Sequence, residues 1–393
     1  MDLLSRANAL AGELVEIRRD IHAHPELSFQ ETRTAALVAD RLKSLGCEAR
    51  TGVGVTGCVG EIGSGDGPLV ALRADMDALP IQEANDVSYR SQVDGIMHAC
   101  GHDAHVACLL GAASLLAESA KHGELPPGRV RLIFQPSEET TDAENLSGAQ
   151  RMIGDGVMAG VDAIVGLHVA AESPAGQLLF REGRLMAGND TLFGTIEGAN
   201  AHAALPHEGQ DALLLASHVL LAVQAIVARR IDPLLPAVVT FGKIAGGTAE
   251  NILCSEVRLD GTLRYFDAEV RERLHEELRR AFAVADAMGG EGRIEIQPGY
   301  PPVVNDARLT ELVRTAALEV VGEEGVGTAE LIMGAEDFAF LAREAPGCFF
   351  WLGAGIEGDR RNHHSPRFDI DESCLPRGAA VLAAAAHRVL TEW

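Results

Sequence analysis

The chain has 393 residues, 47% of them hydrophobic and 23% charged, and this length suggests two or three domains. The composition excludes a mainly disordered chain and supplies enough apolar residues for a sizeable core. The formal net charge of −24 makes the surface repel phosphate backbones and anionic lipids. We therefore expect neither nucleic acid nor a membrane as a partner.

The seven cysteines are scattered along the chain and odd in number, which argues against a disulfide framework. The N-terminal residues include acidic side chains and lack the apolar core of a signal peptide. The apolar run at 219–228 is shorter than the ~20 residues that span a bilayer. These features predict a protein of the reducing cytoplasm.

The predicted elements before residue 186 alternate between helix and strand. Apolar residues at helical spacing predict one amphipathic helix over roughly the first 25 residues. Apolar runs predict buried strands at 69–72, 130–134 and 163–167, and a helix with one apolar face is predicted at 104–116. This alternation indicates an α/β domain with a largely parallel sheet, whose sites lie at the carboxyl ends of strands.

The pattern changes between residues 187 and 299. Strands are predicted at 191–196, 238–241, 257–265 and 293–297, and helices at 211–229 and 269–287. The order β-α-β-β-α-β is that of a ferredoxin-like domain. We therefore expect an inserted domain at 187–299, with a first domain formed by residues 1–186 and closed by residues 300–393.

Side chains that bind transition metals are densest at 98–105, where Cys100 and His102 flank a glycine. More of them follow predicted strands or lie in a late loop: Asp75, Asp77, Glu138, Glu139, His168 and His364. Each alone is more often a surface or capping residue. Because the whole set meets at one edge of the predicted sheet, it indicates a metal site.

Other chemistries fit less well. The sequence GVGVTG at 52–57 matches the glycine pattern of dinucleotide-binding folds, but a strand follows it where that fold requires a helix. Cys100 as a thiol nucleophile stays open as an alternative. That reading needs a histidine–asparagine partner and leaves the two adjacent glutamates without a role.

Ten motifs spread over almost the whole chain carry a family resemblance: RRDIHAHPELSFQE, LRADMDALP, HACGHDAHVA, FQPSEE, GLHV, AHAALPHEGQDA, GGTAENI, GTLR, GAEDFAF and NHHSP. In this combination the chain resembles the M20 metallopeptidase family, in its aminoacylase-like amidohydrolase branch. That branch includes hippurate hydrolases, N-acyl-amino-acid amidohydrolases and indole-acetyl-amino-acid hydrolases. The resemblance implies a zinc-peptidase-like α/β catalytic domain with an inserted ferredoxin-like lid that pairs subunits.

The resemblance also implies two divalent metal ions per subunit. By motif, Cys100 resembles the residue that bridges them. His102 and His168 would complete the first ion, and Glu139 and His364 the second. Mn²⁺ or Zn²⁺ is the expected metal, and Co²⁺ or Ni²⁺ stays open.

The remaining site residues are implied in the same way. Glu138 resembles the general base, which would take a proton from a metal-bridging water, and Asp77 would orient a metal ligand. His202 resembles a histidine that reaches the site from the partner subunit, and Asn251 and Arg264 resemble the groups that hold a substrate carboxylate. The expected reaction is hydrolysis of an N-acyl amino acid, or a similar small amide, to a carboxylic acid and a free amino acid. A dipeptidase or carboxypeptidase and a non-catalytic metal-binding protein stay open, and a homodimer or higher homo-oligomer is expected.

Overall fold

The computed structural model describes residues 2–393, which form two compact units. The first contains the chain up to Leu185, together with Val304–Glu330 and Asp337–Trp393. The second contains Met186–Val303 and the short segment Leu331–Glu336. No pattern in the sequence links that short segment to the inserted domain.

The strands are β1 (Ala49–Val53), β2 (Gly57–Ser64), β3 (Leu69–Asp75), β4 (Gly128–Gln135), β5 (Ala163–Pro174), β6 (Leu178–Phe180), β7 (Gly183–Met186), β8 (Gly188–Glu197), β9 (Ala237–Gly246), β10 (Glu256–Tyr265), β11 (Glu291–Pro298), β12 (Val303–Asn305), β13 (Val326–Thr328) and β14 (Gly347–Gly355). The α-helices are α1 (Leu3–Ala9), α2 (Ala11–Ala23), α3 (Thr32–Ser44), α4 (His102–Lys121), α5 (Gly148–Gly154), α6 (Ala212–Arg230), α7 (Ala268–Phe282), α8 (Val284–Ala287), α9 (Ala307–Val321), α10 (Phe338–Glu344) and α11 (Leu375–Glu392). Short 3₁₀ helices lie at Pro206–Glu208, Glu323–Gly325 and Glu372–Cys374.

The first unit is built on an eight-stranded sheet in the order β1-β2-β4-β3-β5-β14-β6-β13. Its centre is parallel, because β4, β3, β5 and β14 run in one direction. The sheet as a whole is mixed, since β1, β2 and β6 pair antiparallel with neighbours. Every residue of β3 is buried, as expected for a strand covered on both faces by helices.

Two sequence predictions need correction in this unit. The expected N-terminal helix is two helices, because the Leu10 N–H bonds to the Ala7 carbonyl in a tighter turn that ends α1. His168 was expected at the end of a strand, but β5 continues to Pro174 and His168 lies within it. The extension is possible because β14 pairs with β5 beyond the point where β3 stops.

The second unit has a four-stranded antiparallel sheet in the order β11-β8-β10-β9, with α6 and α7 as its crossing helices. The predicted α/β class with an inserted ferredoxin-like domain is confirmed. α6 packs Leu215, Val219 and Val223 into the core of this unit, while Leu221 on its other face is exposed. By length and composition alone α6 could cross a membrane, a weak criterion that packed core helices also satisfy.

Candidate metal centre and active site

A turn at Gly101 leads into α4 and places the cysteine and the histidine on either side of it. Gly101 precedes the helix with φ of +94°, and a Cβ at this position would lie 2.3 Å from Val169 Cγ2. Only glycine therefore fits both the left-handed backbone and the space beside β5. The turn places Cys100 and His102, its two neighbours, in the buried interior at the N-terminus of the helix.

The structure brings all five proposed metal ligands of the sequence together in two overlapping groups. In the first, the ligand atoms of Cys100, His102 and His168 lie within 4.8 Å of one another. In the second, those of Cys100, Glu139 and His364 do the same. Cys100 belongs to both groups, which is the arrangement that a bridging ligand requires.

His102 provides a test of whether a metal fits. Its Nδ1 lies 3.1 Å from Asp77 Oδ1, so in the neutral ring Nδ1 donates its proton there and Nε2 has the lone pair. That Nε2 is buried without a hydrogen-bond partner in the described part of the chain, and it lies 4.0 Å from Glu139 Oε1. Buried polar atoms are normally satisfied, so a cation between these donors accounts for the arrangement.

The turn after β4 is held by two carboxylates from elsewhere in the chain. Asp77 accepts hydrogen bonds from the Glu138 N–H at 3.1 Å and from the Glu139 N–H at 3.0 Å. Glu31 accepts one from the Ser137 N–H at 2.8 Å. Ser137 has φ of +45°, a conformation that surrounding contacts must hold in a non-glycine residue. These hydrogen bonds fix the backbone that carries the two adjacent glutamates.

The protein alone disfavours a thiolate at Cys100. Burial raises the pKa of the Cys100 thiol well above its usual value, and the nearby carboxylates of Glu139, Glu138 and Asp75 raise it further. A thiolate in this position becomes stable only with a cation beside it. This favours Cys100 as a metal ligand over Cys100 as a free nucleophile.

The two histidines on the first metal group differ in their electrostatic surroundings. Burial lowers the pKa of His102, but Asp75 and Asp77 outweigh it and raise the pKa to about 10. The ring on its own would therefore hold a second proton on Nε2, and a metal ion bound there would replace that proton. Burial holds the pKa of His168 well below its usual value. His168 is therefore neutral, the form in which imidazole binds metals.

The other three predicted site residues lie in the second unit. His202 is exposed, and its Nδ1 accepts the Ala204 N–H at 3.0 Å, so in the neutral ring the Nε2 carries a proton. Asn251 is exposed ahead of β10, and Arg264 is half-buried within β10. No hydrogen bond or ion pair among residues 2–393 links these three side chains to one another.

Comparison with known proteins identifies the family. The sequence profile of Peptidase family M20/M25/M40 matches residues 71–388. The chain belongs to this family. It is 39% identical over 386 residues to an IAA-amino acid hydrolase of Arabidopsis thaliana, covering 96% of this chain and 85% of the relative. It is 40% identical over 392 residues to the N-acetyl-L-cysteine deacetylase of Bacillus subtilis, covering 98% of this chain and 89% of the relative.

A solved structure adds the metal content of a relative. The crystal structure of a dinuclear metal-binding peptidase of the M20 family from Bacillus subtilis matches with a TM-score of 0.84 and 34% identity, covering 98% of this chain and 100% of that one. The predicted family is confirmed, and the protein is a metal-dependent hydrolase of amide bonds. The two ligand groups and this relative together support a site for two divalent ions.

The sequence patterns did not reveal the residues that hold the ligands in place. Ser28 donates to Asp77 Oδ2 at 2.7 Å, and the buried Arg73 pairs with Asp75 at 2.7 Å and with Asp337 at 3.0 Å. Ser28 lies in the motif RRDIHAHPELSFQE, which carried the family resemblance without any assigned role. The only hint in the sequence was that this motif precedes LRADMDALP, which contains Asp77.

Proposed function

We propose that this protein hydrolyses N-acyl amino acids, or similar small amides with a free carboxylate, to a carboxylic acid and a free amino acid. The observation that carries the proposal is the convergence of five metal-type ligands beside a further buried carboxylate, Glu138. The substrate class is supported by the relatives that are named for hydrolysis of an IAA-amino acid and deacetylation of N-acetyl-L-cysteine.

Cys100 would bridge the two ions, since it alone belongs to both ligand groups just described. His102 and His168 would complete one ion, and Glu139 and His364 the other. Thiolate, imidazole and carboxylate together suit Mn²⁺ or Zn²⁺, with Co²⁺ and Ni²⁺ as alternatives. When bound, such ions lower the pKa of water toward ~7 and polarise an amide carbonyl.

Glu138 would accept the proton of the attacking water and pass it to the nitrogen of the leaving amine. The two turn hydrogen bonds to Asp77 support this role, because they fix the backbone of Glu138 and Glu139 while Asp77 also orients His102. A structural metal site would need no second carboxylate beside the ligand. Glu138 therefore favours a catalytic site over a structural or sensing site.

The residues of the second unit would bind the substrate. Arg264 supports this role, because its half-buried guanidinium has no hydrogen-bond or ion-pair partner in the described residues, and a guanidinium matches a carboxylate in shape and charge. Asn251 would assist it. The Nε2–H of His202 would donate to the oxyanion of the tetrahedral intermediate. We further propose that the protein works in the cytoplasm as a homodimer or a higher homo-oligomer.

The substrate class is tested by measuring amine release from N-acetyl amino acids, indole-acetyl amino acids and dipeptides, with Mn²⁺, Zn²⁺, Co²⁺ or Ni²⁺ added. Each substrate is paired with its C-terminal amide. We expect acyl amino acids to be cleaved fastest and Arg264→Ala to raise KM for free acids much more than for amides. Arg258→Ala is the matched control, because Arg258 lies on the same strand and pairs with Glu256.

Two results would contradict these proposals. Faster cleavage of dipeptides than of acyl amino acids would assign a dipeptidase. Equal losses for acids and amides in Arg264→Ala would show that Arg264 does not bind the carboxylate.

A further inference from the structure

His105 lies in the metal-rich sequence at 98–105, yet none of the proposed ligand roles uses it. It is fully buried in α4, with Nδ1 2.6 Å from Asp75 Oδ1 and Nε2 accepting the Val169 N–H at 2.9 Å. A backbone N–H can only donate, so Nε2 carries the lone pair. Nδ1 therefore carries the proton and donates a hydrogen bond to Asp75. Both ring nitrogens of His105 are therefore in use.

The sheet explains why β5 needs this imidazole. β3 pairs with β5 only as far as Gly166, while β5 runs on to Pro174 beside β14. Val169 and Ala171 are two residues apart, so their N–H groups point to the side that β3 has left. His105 accepts the first of these N–H groups, and His363 Nε2 accepts the second at 3.3 Å. Two imidazoles thus take the place of a missing strand.

Val169 also sets the orientation of a proposed ligand. Its carbonyl accepts a hydrogen bond from His168 Nδ1 at 2.8 Å. That bond leaves His168 Nε2 directed at the metal cluster, 3.4 Å from Cys100 Sγ. Val169 therefore links the two histidines, because its N–H donates to His105 and its C=O accepts from His168.

We propose that His105 is a positioning residue, which fixes Val169 and thereby holds His168 Nε2 toward the metal site. The inference rests on the proposed ligation of a metal by His168. A competing assignment makes Asp75, His102 and His105 a third metal group, because their ligand atoms also lie within 4.8 Å of one another. That assignment would require His105 to give up one of its two hydrogen bonds.

Two substitutions separate the two ends of the His105 ring. In His105→Gln the side-chain amide reaches the place of Nε2, so its oxygen can still accept the Val169 N–H. In His105→Asn the amide ends near the place of Nδ1, so it can still donate to Asp75 but leaves Val169 without an acceptor. We expect His105→Asn to bind one of the two ions roughly 10–100-fold more weakly, the usual loss when the partner of a metal-bound histidine is removed. His105→Gln should stay close to the unaltered protein.

The measurements are ion content by mass spectrometry and ion affinity by chelator competition, with no substrate present. Thermal unfolding of the metal-free variants reports whether each one folds. The decisive comparison is His105→Asn in a His168→Ala background. If His105 acts through His168, the second substitution causes little further loss of affinity, whereas a general structural effect would add to the first.

Each outcome has a defined meaning. Equal losses of ion affinity in the Asn and Gln variants, or losses that add to that of His168→Ala, would overturn the proposed role of His105. They would leave the ligand assignment of His168 intact. Loss of both ions in His105→Gln would favour the third metal group. Full occupancy of both ions in His168→Ala would overturn the ligand assignment and this inference with it. If His105→Asn fails to fold, near-normal ion affinity of His105→Gln supports the inference and a tenfold loss contradicts it.

Discussion

The adjacent residues Glu138 and Glu139 have the same side chain in different surroundings. Glu138 is buried, and its Oε1 lies 3.4 Å from the Asp337 N–H. Glu139 Oε1 lies 3.1 Å from His364 Nε2, within the second ligand group. Glu138 thus lies beside the proposed metal site, and Glu139 lies among its proposed ligands.

This difference predicts opposite results for two isosteric substitutions. Glu138→Gln should keep both ions and lose roughly 10²–10⁴-fold in kcat, because the amide cannot accept the proton. Glu139→Gln should lose affinity for one ion, because a neutral amide is a weaker ligand than a carboxylate. Ion content and kcat measured on the same samples separate the two, and the reverse pattern would exchange the roles.

At the scale of single residues, the sequence indicated which side chains could bind metal or transfer protons. It did not indicate which residues fix their positions. Cysteine, histidine and paired glutamates are recognisable by type, and the structure gathers the five proposed ligands. Glu31 bonds to the Ser137 N–H across 106 residues, and Ser28 bonds to Asp77 across 49. Neither periodicity nor local spacing reports contacts of that length, so these supports could come only from coordinates.

Two helices at the base of the site are joined by a buried ion network. Arg18 of α2 is fully buried and donates to Asp103 of α4 at 2.9 Å and to Asp369 at 3.0 Å. His22, one turn along α2, lies with Nδ1 2.7 Å from the same Asp103 carboxylate. Because Asp103 directly follows His102, this network anchors the helix end that carries this proposed ligand.

Removing the arginine should destabilise the fold strongly. Arg18→Met leaves the buried Asp103 charge without its main partner, which costs about 3–5 kcal/mol of unfolding free energy. Arg19→Met is the matched control, since the neighbouring Arg19 is 43% exposed in its pair with Glu372 and should cost about 1 kcal/mol or less. Urea unfolding of the metal-free proteins measures the unfolding free energy of both variants. A loss in Arg18→Met as small as the one expected for Arg19→Met would show that the network adds no stability.

The same variant should alter the response to acid. Burial raises the pKa of Asp103, but Arg18 and His22 outweigh it and hold the pKa well below the ordinary 3.8. The folded protein therefore binds this proton less readily than the unfolded chain does. The stabilisation is fully present above about pH 3.8 and is lost as the pH falls below it. The stability difference between the unaltered protein and Arg18→Met should accordingly shrink below that pH.

At the scale of elements, the helices and central strands were predictable because their apolar residues repeat at fixed spacing. The features that escaped prediction depend on neighbours. The break at Leu10 is a turn within a continuous apolar pattern, and β5 is long because β14 lies beside it. The antiparallel edge strands likewise follow from pairing, which no single strand encodes.

The molecule as a whole carries a net charge of −24 and would handle anionic substrates. Such a surface repels an acyl amino acid, so a specific cation must capture the carboxylate. Arg264 in the second unit is the proposed cation, while all five proposed metal ligands are in the first. The family resemblance implies that His202, also in the second unit, reaches the site of a partner subunit.

The second unit has surfaces suited to pairing with another copy. β9 is an edge strand with hydrogen-bonding groups open on one side, and Leu214 and Leu221 of α6 are 51% and 69% exposed. A two-fold axis through such a surface would make every contact twice. Each copy would then offer His202 to the site of its partner.

Mixing two inactive variants, His202→Ala and Glu138→Ala, tests this sharing. In a mixed dimer, the His202→Ala subunit keeps its own Glu138 and receives an intact His202 from the other subunit, so one of the two sites works. Random exchange makes about half of the dimers mixed, so roughly a quarter of all sites should recover activity. Subunit exchange is verified independently with two distinguishable tags. The control variant is His207→Ala, which alters the other histidine of the same exposed segment and should be active without mixing. If His202 served its own subunit, every site in a mixed dimer would lack one of the two groups. Proven exchange without recovery, or a monomer in solution, would therefore contradict the shared site.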